Sequence, residues 1–205
     1  MESIESPALH AAVLAAGPST RFGSPKQLVR LGGTPVIHQA AARAASVAGH
    51  SVTIVLGADA RSIAPALRQS AAATVVNRDW EEGLASSIRA AVRSAPPRCD
   101  GLLLTLCDQV AVTSDDLRRL YVAWRRHPIL IVAALHGGFP GLPAIFPRWA
   151  FSDLLELRGD RDPRLLIRRS ADRLVRVPMS NAGVDLDTPE DLLQVDAGPA
   201  ESTAP

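Results

Sequence analysis

Of the 22 basic residues in this sequence only Lys26 is a lysine, and every other one is an arginine. It closes the segment Leu14-Ala15-Ala16-Gly17-Pro18-Ser19-Thr20-Arg21-Phe22-Gly23-Ser24-Pro25-Lys26. Small residues at Ala15, Ala16 and Gly17 let a ligand approach the backbone closely. Exposed N–H groups in such a loop can hold phosphate oxygens, and Arg21 and Lys26 can neutralise them. A lysine is a compact point charge and an arginine a planar fork, so the two are not equivalent against a phosphate. The glycine spacing is wrong for a P-loop, and no Lys-Ser/Thr pair follows. The three-glycine dinucleotide fingerprint is missing too, which counts against a dehydrogenase. A plain strand-to-helix turn explains the glycines by themselves; Arg21 and Lys26 together shift the reading to phosphate.

Two further segments carry carboxylates. Leu102-Leu103-Leu104-Thr105-Leu106-Cys107-Asp108-Gln109 is an apolar run ending in an acid. Asp108 there suits Mg²⁺, a hard cation commonly held by one or two carboxylates plus substrate phosphate, and equally suits a cap or a turn. Cys107 reads as core, since no general base stands beside it. Gly183-Val184-Asp185-Leu186-Asp187-Thr188 places Asp185 and Asp187 on one side of an extended segment, as a second metal ligand with a neighbour.

These segments need a scaffold that brings them together. The runs Ala11–Ala16, Val52–Leu56, Ala73–Val76, Leu102–Cys107 and Ile129–Leu135 are nearly continuous apolar stretches, as expected for strands covered on both faces. Helical patterns lie between them over Pro35–Ala48, Ala60–Gln69, Gly83–Ser94 and Thr113–Arg126, the last with Thr113 or Ser114 as cap and Asp115 and Asp116 in its first turn. This alternation specifies an α/β fold with a doubly wound, mainly parallel sheet and helices on both faces. In such sheets ligands bind at the carboxyl edge, where the first segment and Asp108 both emerge. After the breaker-rich His136–Pro143, the pattern predicts a short run through Phe146, helices over Trp149–Leu157 and Pro163–Ser170, and a strand over Arg173–Val177. A final helix is capped at Thr188 with Pro189 in its first turn. We expect one domain over residues 8–195, with 1–7 and 196–205 as disordered termini.

Composition excludes some partners. A formal net charge of +1 and 4% aromatic content give no support for a nucleic-acid groove. The apolar runs are far short of the ~20 residues of a membrane span. The acidic Met1-Glu2-Ser3-Ile4-Glu5 is not a signal peptide. Two cysteines, Cys99 and Cys107, make neither a disulfide framework nor a metal pair, which fits a reduced, cytoplasmic setting.

Taken in order, these segments resemble the MobA-like NTP transferases, particularly the molybdenum cofactor cytidylyltransferases. The matching pieces are Leu14-Ala-Ala-Gly…Arg21-Phe-Gly…Pro25-Lys-Gln-Leu, Asn77-Arg-Asp-Trp80-Glu-Glu-Gly83-Leu-Ala-Ser-Ser87, Cys107-Asp-Gln, Gly141-Leu-Pro-Ala-Ile-Phe146, Gly159-Asp-Arg161 and Asp185-Leu-Asp-Thr-Pro-Glu-Asp-Leu192, spanning roughly residues 11–193. The resemblance implies a Rossmann-like nucleotidyltransferase fold and an NTP held by Leu14, Ala15, Ala16, Gly17, Arg21 and Lys26, with Asn77, Gly83 and Ser87 bordering the nucleotide. It implies Mg²⁺ on Asp108, Asp185 and Asp187, with Lys26, Arg21 and Asp108 serving catalysis. Gly141, Pro143, Asp160 and Arg161 would border a molybdopterin-type acceptor. A phosphate of that acceptor would attack the α-phosphorus and release pyrophosphate, so catalysis is positioning and charge neutralisation. The Leu-Ala-Ala-Gly form resembles the CTP-using members, and a molybdoenzyme could receive the product.

Two departures bear on this. Val110 stands where the family carries a proline, loosening the loop behind Asp108. Asp162 replaces a family glycine and adds negative charge where a phosphorylated acceptor would dock. A sugar or alcohol phosphate as acceptor, or a non-catalytic accessory protein that hands cofactor to a molybdoenzyme, are the competing readings.

Overall fold

The computed structural model of the chain describes residues 7–159 and 163–196. In chain order its elements are β1 (Leu9–Ala15), β2 (Arg30–Leu31), β3 (Thr34–Pro35), α1 (Val36–Ala48), β4 (Val52–Leu56), α2 (Ala60–Ile63), β5 (Ala73–Val76), α3 (Leu84–Ser94), β6 (Gly101–Leu106), α4 (Ser114–Arg126), β7 (Ile131–His136), β8 (Phe139–Pro147), α5 (Phe151–Leu155), α6 (Arg164–Arg169), β9 (Leu174–Pro178) and α7 (Pro189–Asp196). Seven strands form one sheet in the order β5-β4-β1-β6-β8-β7-β9. The pairs β4–β5, β1–β4, β1–β6 and β7–β9 are parallel, whereas β8 runs antiparallel to both β6 and β7.

The apolar runs fill both faces of this sheet except at its β5 edge, where Ala73–Val76, expected to be covered on both faces, is largely exposed. In β1, Ala11, Val13 and Ala15 join a core with Val36, Ile37 and Ala40 of α1 and Leu117, Leu120 and Trp124 of α4. The alternate residues Ala12 and Leu14 join a second core with Ala85 and Ile88 of α3, Phe151 and Leu154 of α5 and Ile167 of α6. Period-two alternation therefore puts an apolar side chain on each face, and each fully buried leucine such as Leu103 or Leu104 stabilises the fold by roughly 2 kcal/mol.

The structure departs from the sequence expectations at identifiable points. The helix expected over Ala60–Gln69 is α-helical only to Ile63 and continues as a 3₁₀ segment with Pro65 in its first turn. Proline lacks the N–H a continuing helix needs and crowds the preceding turn. The stretch after Leu135 contains a tight hairpin: Gly137 and Gly138 take φ of +55° and +81°, the left-handed values that join β7 directly to β8. As a result β8 covers nine residues where only a short run was expected. The cap at Thr113 is as expected, with a reciprocal capping box to Asp116. The expected tail after Asp196 lies outside the described residues. Among the described residues no helix is long and apolar enough to cross a membrane.

Candidate functional site

Three loops meet at the carboxyl edge of the sheet. The first leaves β1 and is shaped by a buried glutamine rather than by its glycines. Gln27 donates through Nε2 to the carbonyls of Ala15 (3.1 Å) and Gly17 (3.2 Å), and its Oε1 accepts from Ser19 Oγ at 3.3 Å. Ser19 Oγ in turn accepts from the Lys26 N–H at 2.9 Å. The loop is thereby folded back so that Lys26 points under it. The second loop follows β6, and the third carries Asp185 and Asp187. These two are tied together by the backbone, because Leu186 N–H donates to Asp108 O at 2.9 Å. Leu186 is fully buried while Asp185 and Asp187 on either side reach solvent, the alternation expected of an extended segment.

Charges concentrate where the loops meet. Lys26 Nζ donates to Asp108 Oδ2 at 2.6 Å and to Asp187 Oδ1 at 2.9 Å. Arg21, largely exposed, donates to Asp187 Oδ2 at 2.9 Å. Burial by itself would lower the Lys26 pKa, but the attraction of Asp108 and the hydrogen bonds to both aspartates raise it. The hydrogen bond from Lys26 holds Asp187 below the usual carboxylate range. Asp185 behaves in the opposite way: burial, then the negative charges of Asp108 and Asp187, push its carboxyl up to about 6. Asp108 Oδ1 is buried with no hydrogen-bond partner. A carboxylate oxygen left bare beside a crowded third carboxyl fits a cation-binding site. Among the described residues no three acidic, histidine or cysteine side chains close into a ready-made metal cage. This donor set matches Mg²⁺-type binding, in which one or two carboxylates share the ion with substrate phosphate and water.

A groove of about 320 Å³ opens beside this cluster, lined by Leu14, Ala16, Gly17, Pro18, Trp80, Gly83, Leu84, Ser87, Leu106 and Asp108. Of the residues expected to border a nucleotide, Leu14, Ala16, Gly17, Gly83 and Ser87 thus share one wall with Asp108. Ala15 and Lys26 line a smaller hollow behind it, with Gln27 and Cys107. Asn77 is buried, donating to Ser86 Oγ (2.7 Å) and Ser87 Oγ (3.1 Å) while accepting from Asp79 N–H (3.0 Å). Its polar atoms are spent on shaping the loop that carries Trp80 and Gly83. Arg89 reaches from α3 to Glu82 and to the Leu157 carbonyl, and Glu82 also accepts from Gly159 N–H at 3.0 Å. These bonds, chiefly that from Arg89, hold the Glu82 carboxyl at about 2. Cys107 is buried and its thiol is pushed up to about 12 by that burial and by Asp108, so it stays protonated core.

On the other side of Asp108, Gly141 and Pro143 are buried within β8. Asp160, Arg161 and the departure at Asp162 lie outside the described residues. Gln109 was not singled out from the sequence, yet its buried Nε2 donates to Leu142 O (3.0 Å) and Ala182 O (2.7 Å), tying its own loop to strand β8 and to the loop that carries Asp185. Trp80, Pro18, Leu84 and Leu106 were also passed over as wall residues. Trp80 had a usable signal in the quoted Asn77–Ser87 piece and Gln109 in the quoted Cys107-Asp-Gln piece, but nothing local shows Gln109's partners, which are carbonyls remote in sequence.

The chain is similar to several known proteins. A family model described as the MobA-like NTP transferase domain matches residues 11–174. Rv0371c of Mycobacterium tuberculosis H37Rv is 28% identical, and its crystal structure superposes with a TM-score of 0.82 over 95% of this chain and 100% of that one. The same protein has been solved in complex with manganese, at 26% identity and a TM-score of 0.78 over 94% of this chain and 100% of that one. Nicotine blue oxidoreductase of Paenarthrobacter nicotinovorans is 28% identical over 206 residues, covering 95% of this chain and all of the relative. Molybdopterin-guanine dinucleotide biosynthesis protein A of Archaeoglobus fulgidus shares the fold at 19% identity and a TM-score of 0.67, over 92% of this chain and 97% of that one.

Proposed function

Because this chain belongs to the MobA-like NTP transferase family and is a nucleotidyltransferase, we propose that it transfers CMP from CTP to the phosphate of a molybdopterin-type acceptor with a divalent metal. The observation that carries this reading is the position of Lys26 Nζ between Asp108 Oδ2 and Asp187 Oδ1, in the hollow that shares Asp108 with the groove. A lysine clamped between two carboxylates stands where positive charge is needed. The bare Asp108 Oδ1 beside it supports a second cation. The manganese complex of Rv0371c supports divalent metal binding in a relative of the same length.

In this reading the NTP base and sugar lie in the groove between Gly17 and Ser87, with the triphosphate running toward Lys26 and Arg21. Asp108, with Asp185 or Asp187, would hold Mg²⁺, which when bound neutralises the developing charge on the phosphates. Lys26 and Arg21, which here hold the aspartates, would contact the phosphate oxygens with Mg²⁺ bound. An oxygen of the acceptor phosphate attacks the α-phosphorus, the α–β bridging bond breaks, and pyrophosphate leaves with that bond's electron pair. The chain's own contribution is orientation and preorganised charge.

The test is pyrophosphate release from each of the four NTPs with Mg²⁺ and molybdopterin. Release with CTP alone supports the cytidylyl reading. Nucleotide binding without release for any NTP sends the search to another phosphorylated acceptor, such as a sugar or alcohol phosphate; neither binding nor release favours a non-catalytic accessory protein. A second reading comes from the relative named nicotine blue oxidoreductase, whose activity by name is redox chemistry. Bleaching of nicotine blue with a supplied nicotinamide reductant, at a rate unaffected by Mg²⁺ and CTP, would favour it.

A further inference from the structure

Sheet topology places one histidine at the site that phosphate and metal chemistry leave unused. Strand β8 is antiparallel to β6, and β7 is antiparallel to β8, so β7 runs the same way as β6. His136 ends β7 and therefore stands at the same edge as Asp108. It lies on the β8–β7–β9 half of that edge, across Asp108 from the groove beside β1 and β4.

Its surroundings are unusual for a half-buried histidine. A Cβ built on Gly183 would lie 3.0 Å from His136 Nδ1, and one built on Gly141 would lie 3.5 Å from His136 Nε2. Each ring nitrogen thus faces a glycine, where a side chain would cover it. Gln109 fixes both flanking segments, through Leu142 O and Ala182 O, so the gap that holds the ring is set by the same side chain that sets the Asp108 loop. His10 has both ring nitrogens within hydrogen-bond reach of hydroxyls, and His38 has Nε2 on the Ala66 carbonyl. Among the described residues no hydrogen bond reaches either nitrogen of His136. Arg164 lies beside it, with Nε 3.1 Å from the same Cβ position on Gly141. Its charge is felt by both His136 and Asp185.

We propose that His136 is an acceptor-binding residue, which hydrogen-bonds an uncharged group on the body of the acceptor. The inference rests on the nucleotidyltransferase reading above and deepens it: the acceptor carries donor and acceptor groups on a neutral ring or polyol within reach of its phosphate. Burial, and then the Arg164 charge, lower the His136 pKa, so the ring is neutral near pH 7 and offers one donor and one acceptor. A phosphate alone would leave that pair unused.

Calorimetric titration of the full chain with CTP–Mg²⁺, and separately with molybdopterin, tests this. His136→Leu keeps the volume and removes both hydrogen-bonding groups. It should weaken molybdopterin about 10-fold and leave CTP–Mg²⁺ within twofold of wild type. Gly183→Ala, which pushes a methyl against Nδ1, should show the same selective loss. The ring ¹⁵N signals of His136 should move with molybdopterin and stay still with CTP–Mg²⁺. Unchanged molybdopterin binding in His136→Leu, or a still ring signal, overturns this inference and leaves the proposed function standing. Equal loss of both ligands also overturns it, since the ring would then merely hold the site together. A wild-type chain that binds no CTP–Mg²⁺ overturns the proposed function and this inference with it.

Discussion

Two aspartate clusters share one loop in this molecule, and their chemistry is opposite. At the start of α4, Asp116 is buried and accepts from Thr113 N–H (2.9 Å), Thr113 Oγ1 (2.8 Å), Arg119 Nη2 (2.6 Å) and Asn181 Nδ2 (2.7 Å). Burial would raise its pKa, yet these bonds outweigh it and hold the carboxyl at about 2. Further along the loop that carries Asn181, Asp185 is raised to about 6, and Asp108, on the loop after β6, keeps an oxygen with no partner. A carboxylate that only holds structure has its lone pairs filled; one kept for a ligand is left crowded and incomplete. Asn181 anchors the loop in the first cluster, and that anchor positions Asp185 and Asp187 in the second.

The largest expected effect breaks the second cluster. Asp108→Ala should cut pyrophosphate release by about 10³-fold or more, because it removes the proposed metal ligand and the partner that holds Lys26. Its urea midpoint should stay at or above wild type, since a crowded negative charge is relieved. Retained activity would sink the site assignment; lost activity together with a large loss of stability would show that Asp108 is a structural residue like Asp116.

Next in size is Lys26→Arg, expected to lose about 10- to 100-fold in kcat with its charge intact. Lys26 Nζ meets two carboxylate oxygens as a point, and a planar fork of greater length cannot occupy that position. Wild-type rates in this variant would mean that only the charge matters and that the lone lysine carries no geometric information.

How much of this could be read in advance follows from where the partners lie. Val52–Leu56 was legible because burial on both faces forces a continuous apolar run, and its limits match β4; the limits of Ala73–Val76 match β5 too, although that edge strand is largely exposed. The location of Asp108 at the carboxyl edge was legible because it ends a buried strand, and the shared side of Asp185 and Asp187 because they alternate with Leu186; residue type by itself left a cap or turn equally open for Asp108. The direction of β8 was not, since it depends on the left-handed turn at Gly137 and Gly138, which on the page resembles any breaker. The salt bridges of Lys26 span 82 and 161 residues of sequence, and no local spacing encodes them. Gln27, Gln109 and Asn77 were misweighed for the same reason: a buried amide matters through the particular groups that reach it, and the chain order hides those.

The smallest effect sharpens the comparison from the structural side. Asp116→Asn keeps the shape and removes the charge. The shift from 3.8 to about 2 corresponds to about 2 kcal/mol of stability at pH 7. The folded pKa is depressed, so this contribution is complete above the unfolded value near 4 and is lost as pH falls toward about 2. Urea melts of wild type and Asp116→Asn should therefore differ by about 2 kcal/mol between pH 5 and 7 and converge below pH 3. Pyrophosphate release by the variant should stay within about threefold of wild type at temperatures where it is folded, because Asn181 keeps its bond to the Ala111 carbonyl. A gap that stays constant down to pH 2 would mean that packing, not charge, anchors the loop. A stable variant with activity lost as deeply as in Asp108→Ala would erase the division between the two clusters, since the structural aspartate would then be holding the chemistry as well.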